Sequence, residues 1–267
     1  MNILKEIAGK TAERIEAEKK VASLAEVRKL AEERQVGGTH LRMSFYEALG
    51  KPGMSYICEV KKASPSKGLI APDFPYLNIA QDYEKAGASA ISCLTEPFYF
   101  QGRDAYLKEI AEKSGIPVLR KDFTVDEYMI YQAKAMGAAA ILLICAILDD
   151  VQLRDYHSLA AELGLGVLTE AHDEQELERA LACGAPVIGV NNRDLRTFQV
   201  DMNNSIRLRQ MAPEGTLFVS ESGIRTADDI RRLRENKVDA VLIGETLMRS
   251  NGKKEALEQL NGGPLDI

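Results

Sequence analysis

Tryptophan is absent from the 267 residues, histidine occurs three times and cysteine four times. Each shortage excludes chemistry. Cys58, Cys93, Cys145 and Cys183 lie far apart, with no C-x-x-C pair and no histidine at ligand spacing, so neither a metal site nor a disulfide framework is indicated. Reduced, buried thiols are the expectation. A Ser-His-Asp arrangement finds little support: His40 falls in the N-terminal stretch, His157 within a helical pattern, and only His172 near the end of an apolar run, where a structural role is expected. The phosphate-loop signature G-x-x-x-x-G-K is missing from "ASPSKG". The longest apolar run, "AAAILLICAIL", is too short to span a bilayer. The opening "MNILKEIAGKTAERIEAEKK" is charged throughout, unlike a signal peptide. A formal net charge of −6 argues against nucleic acid or an anionic membrane as a partner. These absences leave a cytoplasmic protein acting on a small molecule.

What is present is repetition. The runs "YICEVK", "AISCLTE", "PVLRKD", "AAILLICA", "GVLTEAH", "PVIGVNN", "LFVSESG" and "AVLIGE" read as buried strands. Between them lie amphipathic stretches such as "LNIAQDYEKA", "TVDEYMIYQAKAM", "DVQLRDYHSLAAEL", "DEQELERALAC" and "TADDIRRLREN", with Thr124 and Asp173 as start signals. Gly87, Gly137 and Gly184 each stand where a left-handed residue would stop a helix before the next strand. Strands separated by helices pair in parallel through right-handed crossovers, and eight such units can close. The pattern predicts a single (β/α)₈ barrel over 1–267, an open doubly wound sheet being the alternative. Residues 1 to about 50 carry helical patterns without strands, including a capping box from Ser23 to Glu26 and the short "SFYEAL". They read as an N-terminal helical extension, of which residues 1 to about 45 are expected to serve the active-site face more than the core.

In a parallel barrel all strand C-termini meet at one face, so polar residues that close apolar runs converge. Glu59 and Lys61 close the first run on one side of the strand, Lys121 the third, Glu170 the fifth, Asn191 with Arg193 the sixth, and Glu221 with Ser222 the seventh. Lysines, an arginine and glutamates in one mouth suit an anionic substrate and proton transfer. Clustered cations should lower a lysine's pKa and burial should raise a glutamate's. Ser222, Gly223 and Gly244 follow the last two runs, where this fold often holds phosphate. Phe98, Tyr99 and Phe100 would either wall an aromatic ring or pack under a loop.

The motifs "CEVKKASPSKG", "LRKDF", "LTEAHDEQEL", "GVNNRDLRTFQVD", "SESGI" and "LIGETLM", in this order and spacing, closely resemble the indole-3-glycerol phosphate synthase family. The resemblance covers nearly the whole chain. It implies a (β/α)₈ enzyme, without metal or organic cofactor, that converts 1-(2-carboxyphenylamino)-1-deoxyribulose 5-phosphate into indole-3-glycerol phosphate, carbon dioxide and water. By motif position it implies Lys121 as general acid, Glu170 as general base and Lys61 as the contact to the substrate carboxylate. It further implies Glu59 and Asn191 as supporting groups. Ser66, Phe100, Leu142, Arg193, Ser222, Gly223 and Gly244 fall at its substrate-binding positions. Two positions depart from the family's pattern: Arg103 stands where a small residue is expected, and Glu245 where a small polar residue is common, its side chain expected to point away from phosphate. The nearest rivals are phosphoribosylanthranilate isomerase, which would want a Cys and an Asp as its acid-base pair, and a silent metabolite-binding barrel. A monomer is favoured.

Overall fold

The computed structural model describes residues 3–34, 44–194 and 197–265. His40 and the pair Leu195 and Arg196 fall outside them. Among the described residues, eight strands form one closed parallel barrel: β1 (Ser55–Val60), β2 (Ala90–Leu94), β3 (Val118–Lys121), β4 (Ala140–Ile144), β5 (Gly166–Ala171), β6 (Val187–Asn191), β7 (Leu217–Glu221) and β8 (Ala240–Ile243). Closure is made by β1 pairing with both β2 and β8, Ile57 standing opposite Ala90 and Leu242. The helices are α1 (Ile3–Glu18), α2 (Leu24–Glu33), α3 (Phe45–Leu49), α4 (Tyr76–Lys85), α5 (Asp104–Lys113), α6 (Glu127–Met136), α7 (Asp150–Glu162), α8 (Glu174–Ala182), α9 (Asn203–Arg209), α10 (Ala227–Glu235), α11 (Glu245–Met248) and α12 (Lys253–Asn261). No helix among the described residues is long and apolar enough to cross a membrane.

The strands are buried on both faces, so they read as near-continuous apolar runs rather than alternating ones. Alternation nevertheless sorts their side chains. Ile57, Ala90, Leu119, Ala140, Leu142, Leu168, Val187, Val219 and Leu242 form an inner cluster. The intervening residues, such as Cys58, Ile91, Ile141, Val167 and Phe218, pack outward against the helices. Three of the four thiols, Cys58, Cys93 and Cys145, are buried and all four are free.

The helix punctuation follows the sequence with one correction. Asp173 caps α8 by accepting from the Glu176 amide at 2.9 Å. Gly87, Gly137 and Gly184 all take positive φ, at 93°, 89° and 77°. Thr124, however, caps nothing; Asp126 does, accepting from the Tyr128 amide at 2.9 Å. Thr124 is instead 2% exposed, because the loop runs two residues further before α6 begins.

Helices α1 and α3 of the extension lie at opposite ends of the barrel. Helix α1 lies across the open mouth, where Leu4 and Ile7 join Phe123, Leu142 and Ile144. It is tied down by Arg14, whose guanidinium donates to the buried Asp122 at 2.9 Å. Ile15, Val27 and Ala31 then pack on Tyr128, Met129 and Tyr131 of α6. At the opposite end, α3 plugs the barrel floor with Phe45 and Leu49, both essentially unexposed. The fit is close: a Cβ built on Gly166 would stand 2.9 Å from Phe45 Cβ, so β5 needs glycine there. Phe45→Ala is expected to destabilise the protein by about 3–5 kcal/mol, the usual cost of emptying a core phenylalanine site. Urea unfolding measures it, and a cost below about 1 kcal/mol would mean that α3 is an appendage.

Candidate active site

The C-terminal strand ends open into one cleft of about 1200 Å³, part of it open to solvent. It is lined by Glu59, Lys61, Ser66, Phe100, Lys121, Leu142, Glu170, Asn191, Arg193, Ser222, Gly223 and Gly244, the twelve residues to which the resemblance assigns catalytic or substrate-binding positions. Its roof includes Leu4 and Ile7 of α1.

Lys121 is the centre of the polar floor. The strand turns Arg120 and Asp122 outward, into a buried network, and Lys121 inward. Arg120 donates to the Met129 carbonyl at 2.8 Å and to Asp104 at 3.0 Å. Asp122 accepts from Arg14 and, at 2.6 Å, from Thr95. Inside the barrel, Lys121 Nζ lies 3.1 Å from Glu170 Oε2 and 3.2 Å from Glu221 Oε2. Asn191 Nδ2 reaches Glu170 Oε1 at 3.4 Å, while the Asn191 oxygen accepts from the Arg193 amide at 3.0 Å. Glu59 and Lys61 form a second ion pair at the end of β1.

The electrostatics reverse the simple expectation for the lysine. Burial disfavours its charge, but the carboxylates of Glu221, Glu170 and Glu59 outweigh burial and hold the Lys121 pKa above the ordinary lysine value. Neighbouring carboxylates, not other cations, dominate its surroundings. Glu170 moves down rather than up: burial raises it, but Lys121, His172 and the hydrogen bonds from Lys121 and Asn191 overcome that. Glu221 is the carboxylate that burial pushes up, to about 7, with Lys121 opposing and Glu170 adding to the rise. Its Oε1 is buried without a hydrogen-bond partner among the described residues.

Two glycines shape these pairs. A Cβ on Gly189 of β6 would collide with the Glu221 carboxylate, and one on Gly244 with the Glu59 carboxylate and the Lys61 ammonium. Gly244 therefore makes room for side chains as well as bringing backbone close to the cleft. After β7, Ser222 and Gly223 both adopt positive φ, 68° and 88°. For a serine this conformation is strained, and such strain concentrates at functional turns. Behind them the buried Asn192 donates to Ser220 Oγ at 3.0 Å and to the Ser222 carbonyl at 3.1 Å, fixing the turn. Arg193 reaches the Phe198 carbonyl at 3.2 Å.

The loop after β2 is organised by the buried Glu96, which accepts from the amides of Phe98, Tyr99 and Phe100 at 2.7–3.0 Å. Only one of the three aromatic residues enters the cleft: Phe100, which packs beside Phe123 at 6.3 Å between centroids. Tyr99 donates to Glu6 of α1 at 2.6 Å, and Phe98 is 56% exposed. Arg103 stacks over Tyr106 outside the cleft. Glu245 stands among the residues that line the cleft. Its charge is met by Lys67 at 3.6 Å and Arg249 at 3.2 Å.

Two groups went unassigned in the sequence. Glu221 was visible as a strand end, and only the closed register places it against Lys121. His172 sits with Nε2 3.4 Å from Glu170 Oε1 and Nδ1 3.1 Å from Glu176 Oε2. Its spacing of two from Glu170, one residue beyond the end of β5, was the available signal.

A family model described as indole-3-glycerol phosphate synthase matches residues 4–260. The chain is 52% identical to the indole-3-glycerol phosphate synthase of Ruminiclostridium cellulolyticum over 260 residues, covering 97% of this chain and 99% of that protein. It is 47% identical to that of Lachnoclostridium phytofermentans over 266 residues, covering 97% and 98%. Among solved structures, 3-hexulose-6-phosphate synthase from Salmonella typhimurium is similar with a TM-score of 0.64 at 13% identity, covering 78% of this chain and 97% of that one. That last likeness is one of fold.

Three buried carboxylates around Lys121 give a pH signature in stability. With a folded pKa of about 7 against 4.5 for an ordinary glutamate, Glu221 binds a proton in the folded state that the unfolded chain has lost. Between these values stability therefore falls as pH rises, and the full cost is present above about pH 7. Glu221→Gln should gain stability relative to the parent by about 1–3 kcal/mol at pH 8 and little near pH 4.5. Urea unfolding at both pH values measures this; an equal difference at each would contradict the placement of Glu221.

Proposed function

The chain belongs to the indole-3-glycerol phosphate synthase family, decarboxylating lyases of tryptophan biosynthesis, and from that premise we propose how its cleft divides the reaction. The observation that carries the assignment is the Lys121 ammonium set between Glu170 and Glu221 at the strand ends. The substrate is 1-(2-carboxyphenylamino)-1-deoxyribulose 5-phosphate, with a benzoate at one end and a phosphate at the other.

Ring closure joins the ring carbon bearing the carboxylate to the ketone carbon, and the ketone oxygen must gain a proton as that bond forms. Lys121, kept protonated by its carboxylates, is the acid for this step. Carbon dioxide then leaves, returning its bonding pair to the ring. The new hydroxyl departs as water after a further protonation, and loss of one carbon-bound proton completes the indole. Glu170, held ionised below its ordinary pKa, is the base that takes it. Lys61, positioned by Glu59, meets the substrate carboxylate and assists the acid steps. Asn191 orients Glu170.

The phosphate lies where Arg193, Ser222, Gly223, Gly244 and Ser66 line the cleft. Close backbone approach at the two glycines and the charge of Arg193 suit a dianion. Phe100 and Leu142 give apolar walls for the anilino ring.

Glu170→Gln keeps the shape and removes the basicity, so kcat should fall by roughly 10²–10⁴ while KM changes only several-fold. Lys61→Ala should instead raise KM as well as lower kcat, because a contact present in ground and transition states is lost. Steady-state assays following indole fluorescence read both. Near-parental turnover in Glu170→Gln would remove Glu170 as the base and leave Glu59 as the next carboxylate to test.

A further inference from the structure

Beyond β5 the alternation continues for one more step, so Glu170 and His172 project to the same side while Ala171 packs outward. Asp173 then starts α8, and the first turn brings Glu176 back over the loop. Its carboxylate accepts from the His172 amide at 2.8 Å and lies 3.1 Å from ring Nδ1. The loop is fixed on its other side by Asn204, which donates to the His172 carbonyl at 2.9 Å. With backbone and Nδ1 both held, Nε2 stands 3.4 Å from Glu170 Oε1, an ion-pair distance, and is buried without a hydrogen-bond partner among the described residues.

The imidazole thus has a carboxylate at each nitrogen. A neutral ring can donate to one of them and must present a lone pair to the other; only the imidazolium donates to both. Charged groups around it are Glu170 on β5, Glu176 on α8 and, further off, Glu221 on β7. Lys121 faces Glu170 from the opposite side, and Arg179 with Cys145 lies near Glu176. Burial opposes the ring's charge, yet the Glu176 hydrogen bond and these carboxylates move its pKa above the ordinary histidine value.

We propose that His172 is a positioning residue for the reaction: an imidazolium bridging Glu176 and Glu170 that orients the Glu170 carboxylate and keeps it ionised while Lys121 is without its proton. This rests on the assignment of Lys121 as acid and Glu170 as base. Once Lys121 has given its proton to the substrate, Glu170 and Glu221 lose the ammonium between them, while the Lys61 ammonium is paired with Glu59. Glu170 would then take up a proton too early, and be spent before the last step. A cation at 3.4 Å on its far side prevents that without occupying the cleft, since His172 is not among the residues lining it.

The test compares kcat against pH for the parent, His172→Gln, Glu176→Gln, Glu170→Gln and the double variant Glu170→Gln with His172→Gln. Gln at 172 keeps an amide donor and removes the charge. The acidic limb of kcat should move upward by about 1 unit in His172→Gln, at the low end of the effect of an adjacent opposite charge on a carboxyl group. Turnover at neutral pH should fall several-fold or more, with KM little changed. Glu176→Gln retains an acceptor for the His172 amide and should shift the limb the same way by less. On the Glu170→Gln background, the His172 change should cost under twofold. An unmoved acidic limb in His172→Gln, or an equal loss on both backgrounds, would reduce His172 to a structural part of the loop. Should that variant fail to fold by circular dichroism, an unmoved limb in Glu176→Gln overturns the proposal just as well. If Glu170→Gln itself retains near-parental turnover, the base assignment fails; if it is impaired and the histidine variants are not, only the present inference fails.

Discussion

An ammonium group buried at the barrel mouth can exist only if its neighbours neutralise it, and the arrangement around Lys121 follows from that requirement. Its side chain is 13% exposed, and two carboxylates stand at 3.1 and 3.2 Å. Isolated burial would drive such a lysine to lose its proton. Two carboxylates reverse that outcome and leave an excess of negative charge; Glu221, pushed up first by burial and then by Glu170, and the histidine behind Glu170 accompany it. The cluster depends on its cation: removing Lys121 would leave buried carboxylates uncompensated, which costs more than the pair contributes.

The backbone is built to hold those charges in register. Gly189 leaves the space that the Glu221 carboxylate fills, and Gly244 the space for Glu59 and Lys61. On the other side of β3, Arg120 and Asp122 lock the strand end to α1, α5 and α6 through hydrogen bonds of 2.6–3.2 Å. The same strand end that presents Lys121 inward therefore anchors the extension outward. Helix α1 in turn supplies Leu4 and Ile7 to the apolar roof. Excluding water at the roof strengthens every charge interaction beneath it.

The barrel was readable because its eight strands are short β-prone runs, three of them preceded by a glycine that stops the helix before, and because closure is the natural end of eight parallel units. The strand-end rule likewise brought Glu59, Lys61, Lys121, Glu170 and Asn191 together, since alternation assigns each a side of its strand. What stayed hidden depends on register between distant strands. Glu221 gains its meaning from pairing that sets it opposite Asn191 and Leu242, which no local pattern reveals. The direction of the Lys121 shift depends on that same neighbour. Phe45 was likewise unreadable as core, because a five-residue helix carries too little periodicity to show what it faces. The Thr124 misreading has a local origin: Thr124 stands three residues before the acidic Glu127, as the spacing rule for a helix start asks, whereas Asp126, the actual cap, has Met129 at that place.

The central claim is that Lys121 is held as an ammonium by Glu170 and Glu221 together. Nitrogen and carbon chemical shifts of the lysine side chains, followed from pH 8 to pH 12, report it directly, with the Lys121 resonance identified by its absence in Lys121→Met. The account predicts that this resonance titrates above the ordinary lysine value of 10.5, later than the surface lysines, and that replacing both glutamates by glutamine brings its pKa down. A Lys121 that loses its proton below the surface lysines in the parent protein would contradict it.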